Sequence, residues 1–272
     1  MNSPTILIIG KESVIGNYLY NNLKTKYKVF TTTRNYYTCN DFNYYLNLED
    51  VETFNFINDK FTHCYICSSI TNTFICNKHP KYTYNINVVN TSHLIDKLLK
   101  YGIIVNFFSS SYVFNSESEY GKQKAEIEHK LGNGAHIYRC TKIIHKDFKL
   151  FNTWISALKN NKQITCFKNV NISPITIDFL YKFCNNILEN NITPNLWNLS
   201  TIDEISYYDA IIYLAIRLNL DVELIIPTCQ NINNIYNSYL EIPKYQYDNI
   251  KINYNDCNEV LEWYIDLINH EF

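Results

Sequence analysis

"TILIIGKESVIGNYLYNNLK", residues 5–24, decides the fold. Its first part is an unbroken apolar run closed by Gly10, and its second places Val14, Ile15, Leu19 and Leu23 at helical spacing, so it reads as strand, tight turn and helix. The rhythm continues with a strand at "YKVFTTT" (27–33), a helix at "EDVETFNFINDK" (49–60) and a strand at "HCYICSS" (63–69). A long amphipathic helix at "YNINVVNTSHLIDKLLKYG" (84–102) is followed by a strand at "IIVNFFSSS" (103–111), a helix at "SEYGKQKAEIEHKL" (118–131) and a strand at "AHIYRC" (135–140). Alternation of this kind predicts an α/β protein with a doubly wound parallel sheet.

After about residue 145 the rhythm loosens. Helices are predicted at "LFNTWISALKN" (150–160), "ITIDFLYKFCNNIL" (175–188) and "ISYYDAIIYLAIRL" (205–218), a strand at "ITCF" (164–167), and an irregular Tyr- and Asn-rich tail beyond them. We expect a domain over 1–145, completed by parts of 176–220, and a smaller, partly discontinuous domain over 146–272.

Lys plus Arg number 24 against 26 for Asp plus Glu, with no basic block, which leaves no electrostatic footprint for nucleic acid or an acidic membrane. The opening "MNSPTILIIG" has no basic n-region and too short an apolar run for a signal peptide, and nothing later approaches a spanning helix. A cytoplasmic protein is expected. Nine cysteines at irregular spacing read as reduced thiols. Cys64, Cys67, Cys76 and His79 superficially resemble zinc ligand pairs, but positions i and i+3 of a strand face opposite ways, so small apolar filling is preferred and no metal is expected. Trp154, Trp197 and Trp263 read as core.

Two constellations carry chemistry. Gly10 and Gly16 bracket the first strand-to-helix turn, where a helix N-terminus can face a pyrophosphate, while Ser13 stands at the middle glycine position of the usual three-glycine loop. Gly10, Lys11, Ser13, Val14, Ile15 and Gly16 are the candidate phosphate loop. The second strand ends without an acid for ribose hydroxyls and offers Arg34, with Lys11 nearby, to a 2′-phosphate, which favours NADP(H) over NAD(H). Ser68 and Ser69 are expected beside the adenosine or ribose. The other constellation is Tyr120 and Lys124, at i and i+4 of a helix, after a strand that ends in serines. A tyrosine of ordinary pKa about 10 acts as an acid or base at neutral pH only beside a cation, which Lys124 supplies.

The ordered set "ILIIGKESVIG", "YNINVVNT", "FFSSSYVF", "YGKQK", "YRCTKI", "ISPITID" and "LWNLS" resembles the extended short-chain dehydrogenase/reductases, in particular their dTDP-4-dehydrorhamnose reductase-like group. The resemblance implies a Rossmann-type fold with a C-terminal substrate domain, and NADPH-dependent reduction of a nucleotide-linked 4-keto-6-deoxy sugar. It implies Ser110 as the carbonyl-polarising serine, Tyr120 as general acid, Lys124 as its partner in contact with cofactor, Asn87 as support for the lysine, and a homodimer built on the helices of Asn87 and Tyr120. The 10 residues from Ser110 to Tyr120 are far fewer than the family usually has, removing most of a cover loop. A sugar-nucleotide epimerase, or a non-catalytic NADP-binding regulatory subunit of the same fold, are the alternative expectations.

Overall fold

The run "ILII" is apolar without alternation because strand β1 (Thr5–Ile9) lies at the centre of a sheet and Ile6, Leu7, Ile8 and Ile9 are all fully buried. The computed structural model describes residues 3–115, 117–231, 239–243, 246, 250 and 252–269. The chain divides into two compact units, Met1–Arg139 with Tyr181–Trp197, and Cys140–Leu180 with Asn198–Phe272. The first unit holds β1, β2 (Lys28–Thr33), β3 (Asn43–Tyr45), β4 (His63–Ile66), β5 (Ile104–Ser110) and β6 (Ala135–Cys140) in a seven-stranded sheet of order Leu196–Leu199, β6, β5, β4, β1, β2, β3. The β1–β2, β2–β3, β1–β4 and β4–β5 pairs are parallel. This is the Rossmann-type doubly wound sheet, with its strand order reversing between β1 and β4.

Two sequence expectations need correction. The helix expected over 49–60 is only a 3₁₀ turn, Val51–Phe54. Of Val51, Phe54 and Ile57, set on one face by helical spacing, Phe54 and Ile57 are buried but Val51 is exposed; Asp50 and Asn58 accept hydrogen bonds from the backbone N–H two residues on, Glu52 and Lys60, and these local bonds compete with a helix. The long helix expected over 84–102 follows a short helix, α2 (Thr73–Lys78), and is a composite of α3 (Pro80–Tyr84), a π-helical turn (Asn85–Asn90) and α4 (Thr91–Lys100). The Thr91 hydroxyl donates to the Ile86 carbonyl at 2.9 Å within this widened turn, and Ile86, Asn87, Val88 and Asn90 are all buried. Such bulges recur at functional sites.

The second unit has its own core. Helices α6 (Lys149–Lys159) and α8 (Tyr207–Arg217) contribute Phe151, Ile155, Ile211 and Leu214, and a helix not anticipated from the sequence, Cys257–Asn269, adds Val260, Leu261, Tyr264 and Ile265. Short strands pair beside them, among them Ile164–Phe167 with Ile225–Thr228 in parallel. Trp154 and Trp263 pack on this core. The Tyr- and Asn-rich tail lies in part outside the described residues. Among the described residues no helix is long and apolar enough to cross a membrane.

One side of the first unit's sheet carries stacked rings from successive strands: Tyr65 on Phe108, Phe108 on Tyr138, Tyr138 on His136 and His136 on Trp197. Phe183 of α7 (Ile177–Glu189) meets Tyr138 and Trp197 edge-on. His136 Nδ1 accepts from Trp197 Nε1 at 3.1 Å, which fixes a neutral ring, and burial lowers its pKa to about 4.

At the reversal point the turn after β1 has almost no room. Gly10 has φ +89°, and a Cβ there would stand 2.0 Å from Ser68 Oγ. A Cβ on Gly16 would stand 2.2 Å from the Gly10 carbonyl oxygen, so α1 (Val14–Leu23) begins directly against the turn. Ser13, by contrast, has φ −70° and needs no glycine. Its hydroxyl donates to Gly10 O at 2.8 Å and accepts from Gly16 N at 3.0 Å, closing the turn and capping the helix.

Two outcomes follow. Gly10→Ala, which meets both a left-handed backbone and Ser68, should lose about 2 kcal/mol or more and melt several degrees lower by circular dichroism, whereas Ser13→Gly should cost only a few tenths. Because the native His136 ring binds a proton only near pH 4 and the unfolded one near 6.5, the unfolded state takes up the proton first, and stability falls as pH drops through that window. His136→Gln should therefore show a smaller drop in melting temperature between pH 6.5 and 4.5 than the parent protein.

Candidate functional site

A cleft of about 650 Å³ opens off the C-terminal ends of β1, β2 and β4, where doubly wound sheets bind ligands. Gly10 and Ser13 line its floor, Ser68 and Ser69 one wall, and Arg34 with Asn35 another. The floor is held from β2, whose buried Thr32 accepts the Gly10 N–H on Oγ1 at 3.0 Å. Gly16 supports the loop from behind, and Lys11, Val14 and Ile15 are not among the lining residues. The Lys11 ammonium lies 4.3 Å from the Tyr20 ring centre, so the cation presented to the cleft is that of the exposed Arg34.

Some lining residues carried no clear sequence signal. Leu46 and Leu48 follow β3, whose three residues are too short to show periodicity. Glu12 and Glu49 bring carboxylates to the rim, and the Tyr82 hydroxyl on α3 donates to Glu49 Oε1 at 2.5 Å, joining two sides of the cleft. Cys67 also lines the cleft, and burial raises its thiol pKa, keeping it neutral.

Asn87, brought inward by the π-helical turn, ties the segment after β4 to the rest of the unit. Its Oδ1 accepts from Ile70 N at 2.8 Å and Ser69 Oγ at 3.1 Å, and its Nδ2 donates to Ile70 O at 2.9 Å and Gln123 Oε1 at 2.8 Å. Gln123 in turn donates to Thr83 Oγ1 at 2.9 Å. A glutamine one residue before Lys124, on the buried face of a helix, was the available clue to this member of the network.

Tyr120 and Lys124 sit on α5 (Glu119–Leu131), whose first turn is capped by Ser118. Both are buried, at 9% and 6% exposure, so neither is an ordinary charged helix start. Lys124 Nζ donates to the Phe108 carbonyl of β5 at 2.8 Å and lies 5.8 Å from the Tyr120 ring centre. Ser110 ends β5, and its Oγ accepts the Tyr112 N–H at 3.3 Å, capping a 3₁₀ turn over Ser111–Phe114. That turn and α5 approach so closely that a Cβ on Gly121 would stand 2.0 Å from the Tyr112 carbonyl oxygen. The glycine of "YGKQK" thus lets a connection of few residues deliver Tyr120 beside the end of β5. The neighbouring Ser109 is buried and turned to Glu128, leaving Ser110 as the half-buried serine at the strand end.

Solved structures share this architecture. The Bacillus anthracis dTDP-4-dehydrorhamnose reductase in complex with NADP superposes with TM-score 0.84 at 16% identity, over 98% of this chain and 99% of that one. The Yersinia enterocolitica dTDP-4-dehydrorhamnose reductase gives 0.83 at 21%, over 97% and 99%. A Thermotoga maritima UDP-glucose 4-epimerase with UDP-glucose gives 0.81 at 15%, over 98% and 99%. No curated protein matches the chain by sequence. The model of the NAD dependent epimerase/dehydratase family matches residues 6–147, slightly more than half of the chain, and the protein belongs to that family.

Proposed function

We propose that the protein is an NADPH-dependent reductase of a nucleotide-linked 4-keto-6-deoxy sugar. The observation that carries this reading is the buried Tyr120–Lys124 pair on α5, set beside the Ser110 end of β5 in the unit that also holds the cleft. The cleft suits a dinucleotide: its floor is a turn in which added Cβ atoms at Gly10 and Gly16 would collide, and the N-terminus of α1 opens toward it. Gly10 and Ser13 would line the pyrophosphate at the N-terminus of α1, whose dipole favours an anion, Arg34 would hold a 2′-phosphate, and Ser68 would face the adenosine side. When bound, the nicotinamide supplies a hydride.

The chain's own residues supply the rest. Ser110 orients and polarises the carbonyl, and Tyr120 gives its phenolic proton to the oxygen as it becomes an alkoxide. Lys124 stabilises the resulting phenolate, since a cation beside a phenol favours its charged form. Asn87 holds Ser69, Ile70 and Gln123 in place, and so acts on the wall of the cleft and on α5. The two reductases reported among the structural relatives, one of them an NADP complex, support this reading over epimerisation. A regulatory role, suggested by Ser13 and by the short span from Ser110 to Tyr120, loses the first of these grounds because Ser13 closes the turn at an ordinary φ. The reading extends to a cytoplasmic homodimer through the helices that carry Asn87 and Tyr120.

Titration calorimetry should give tighter binding of NADPH than of NADH, with Arg34→Ala removing about tenfold or more of that preference, as expected for a charge-assisted bond to phosphate. Tyr120→Phe should keep its fold and NADPH affinity and lose ~10²–10⁴-fold in turnover against nucleotide-linked keto sugars. A wild-type protein that binds NADPH yet consumes none with any such sugar would refute the reductase assignment.

A further inference from the structure

Tyr120, Lys124 and Glu128 follow one another at i, i+4 and i+8 along α5, and all three are buried. A lysine and a glutamate four apart on a buried helix face are natural partners, and low dielectric strengthens their attraction. Here other groups hold each of them. Lys124 Nζ bonds the Phe108 carbonyl at 2.8 Å and lies 4.4 Å from the centre of the Phe107 ring. Glu128 receives a forked contact from Arg139 of β6, with Nε 3.0 Å from both carboxylate oxygens and Nη2 2.6 Å from Oε2. Ser109 Oγ adds a bond to Oε1 at 2.5 Å, and the Arg139 guanidinium lies over the Phe114 ring at 4.9 Å.

We propose that Arg139 and Ser109 are positioning residues that hold the Glu128 carboxylate away from Lys124, so that the lysine ammonium stays committed to Tyr120. This rests on the reading of Tyr120 as the proton donor. With Arg139 present, Glu128 is one half of a neutral pair in which every oxygen is bonded, as burial of a charge requires. Without it, an unpaired carboxylate stands one helical turn from Lys124, draws the ammonium toward itself and weakens its support of the phenolate. Other titratable groups near Tyr120 and Lys124 are Tyr112, edge-on to Tyr120, Glu119 on α5, and the thiols of Cys67 and Cys76, which burial pushes upward and keeps neutral. They are common to every variant compared, so differences between variants report on Glu128.

The test follows tyrosinate absorbance against pH, each protein measured against its own Tyr120→Phe counterpart so that Tyr120 alone is read. Arg139→Gln should raise the Tyr120 ionisation by about one unit, and the double variant Glu128→Gln with Arg139→Gln should bring it back toward the parent value. A purely structural role predicts no such recovery. An unmoved ionisation in Arg139→Gln, or a double variant that stays with the single one, would overturn the proposal. Should Arg139→Gln melt below the working temperature, Glu128→Gln decides: removal of the competing carboxylate should leave the ionisation at or below the parent value, and a rise overturns the proposal. A parent protein whose Tyr120 ionises at about the ordinary 10 would refute Tyr120 as the acid, an outcome visible without any Arg139 variant.

Discussion

The contact on which the site depends is the one between the Gly10 turn and Ser68, where β1 and β4 part. The two strands are hydrogen-bonded neighbours in register from Ile6 with His63 to Ile9 with Ile66, so their C-terminal extensions emerge side by side. Gly10 can pass Ser68 only because it has no side chain, and α1 can start against the Gly10 carbonyl only because Gly16 has none. These two omissions bring the tight turn directly against the N-terminus of α1, whose dipole suits an anion. The Ser13 hydroxyl then performs the closing role within the turn, which is why a third glycine is dispensable at an ordinary φ.

A second approach of the same kind organises the chemistry. Gly121 allows α5 to touch the Tyr112 carbonyl, and the helix then lays Tyr120, Lys124 and Glu128 along one buried face. Lys124, Glu128 and Gln123 are all bonded there: Lys124 to β5, Glu128 to Ser109 and Arg139, Gln123 to Asn87 and Thr83. Fully satisfied networks in a low-dielectric interior are rigid, because breaking any member leaves an orphan. Between Ser110 and Tyr120 the 3₁₀ turn over Ser111–Phe114 packs directly against the start of α5.

The cleft shows how neighbouring cations divide their work. Lys11 and Arg34 both follow strand ends, yet Lys11 rests on Tyr20 while Arg34 faces the cleft. Glu12 and Glu49 oppose it with negative charge, and the Tyr82–Glu49 bond shapes the side where α3 approaches. The charge pattern at this end thus depends on residues from four separate segments.

Strand, turn and helix at residues 5–24, the later alternation, and the pair Tyr120 and Lys124 were legible in the sequence because each depends on local periodicity or on spacing within one helix. Gly10 and Gly16 were legible for the same reason, since a tight turn between strand and helix demands small residues nearby in the chain. The failures have an equally physical cause. Val51, Phe54 and Ile57 mimic helical spacing, yet side-chain bonds from Asp50 and Asn58 break the helix; the three residues of β3 are too few to show a period; and the tail hides the helix at Cys257–Asn269. Composition alone also leaves Asn87 ambiguous, whereas the π-helical turn puts its amide between Ile70 and Gln123. The sequence by itself determined the doubly wound class and the tight turn between β1 and α1; only the tertiary structure decided which cation meets the cleft, which serine ends β5 free of Glu128, and which partner Glu128 takes, because those choices are competitions between groups distant in sequence and close in space.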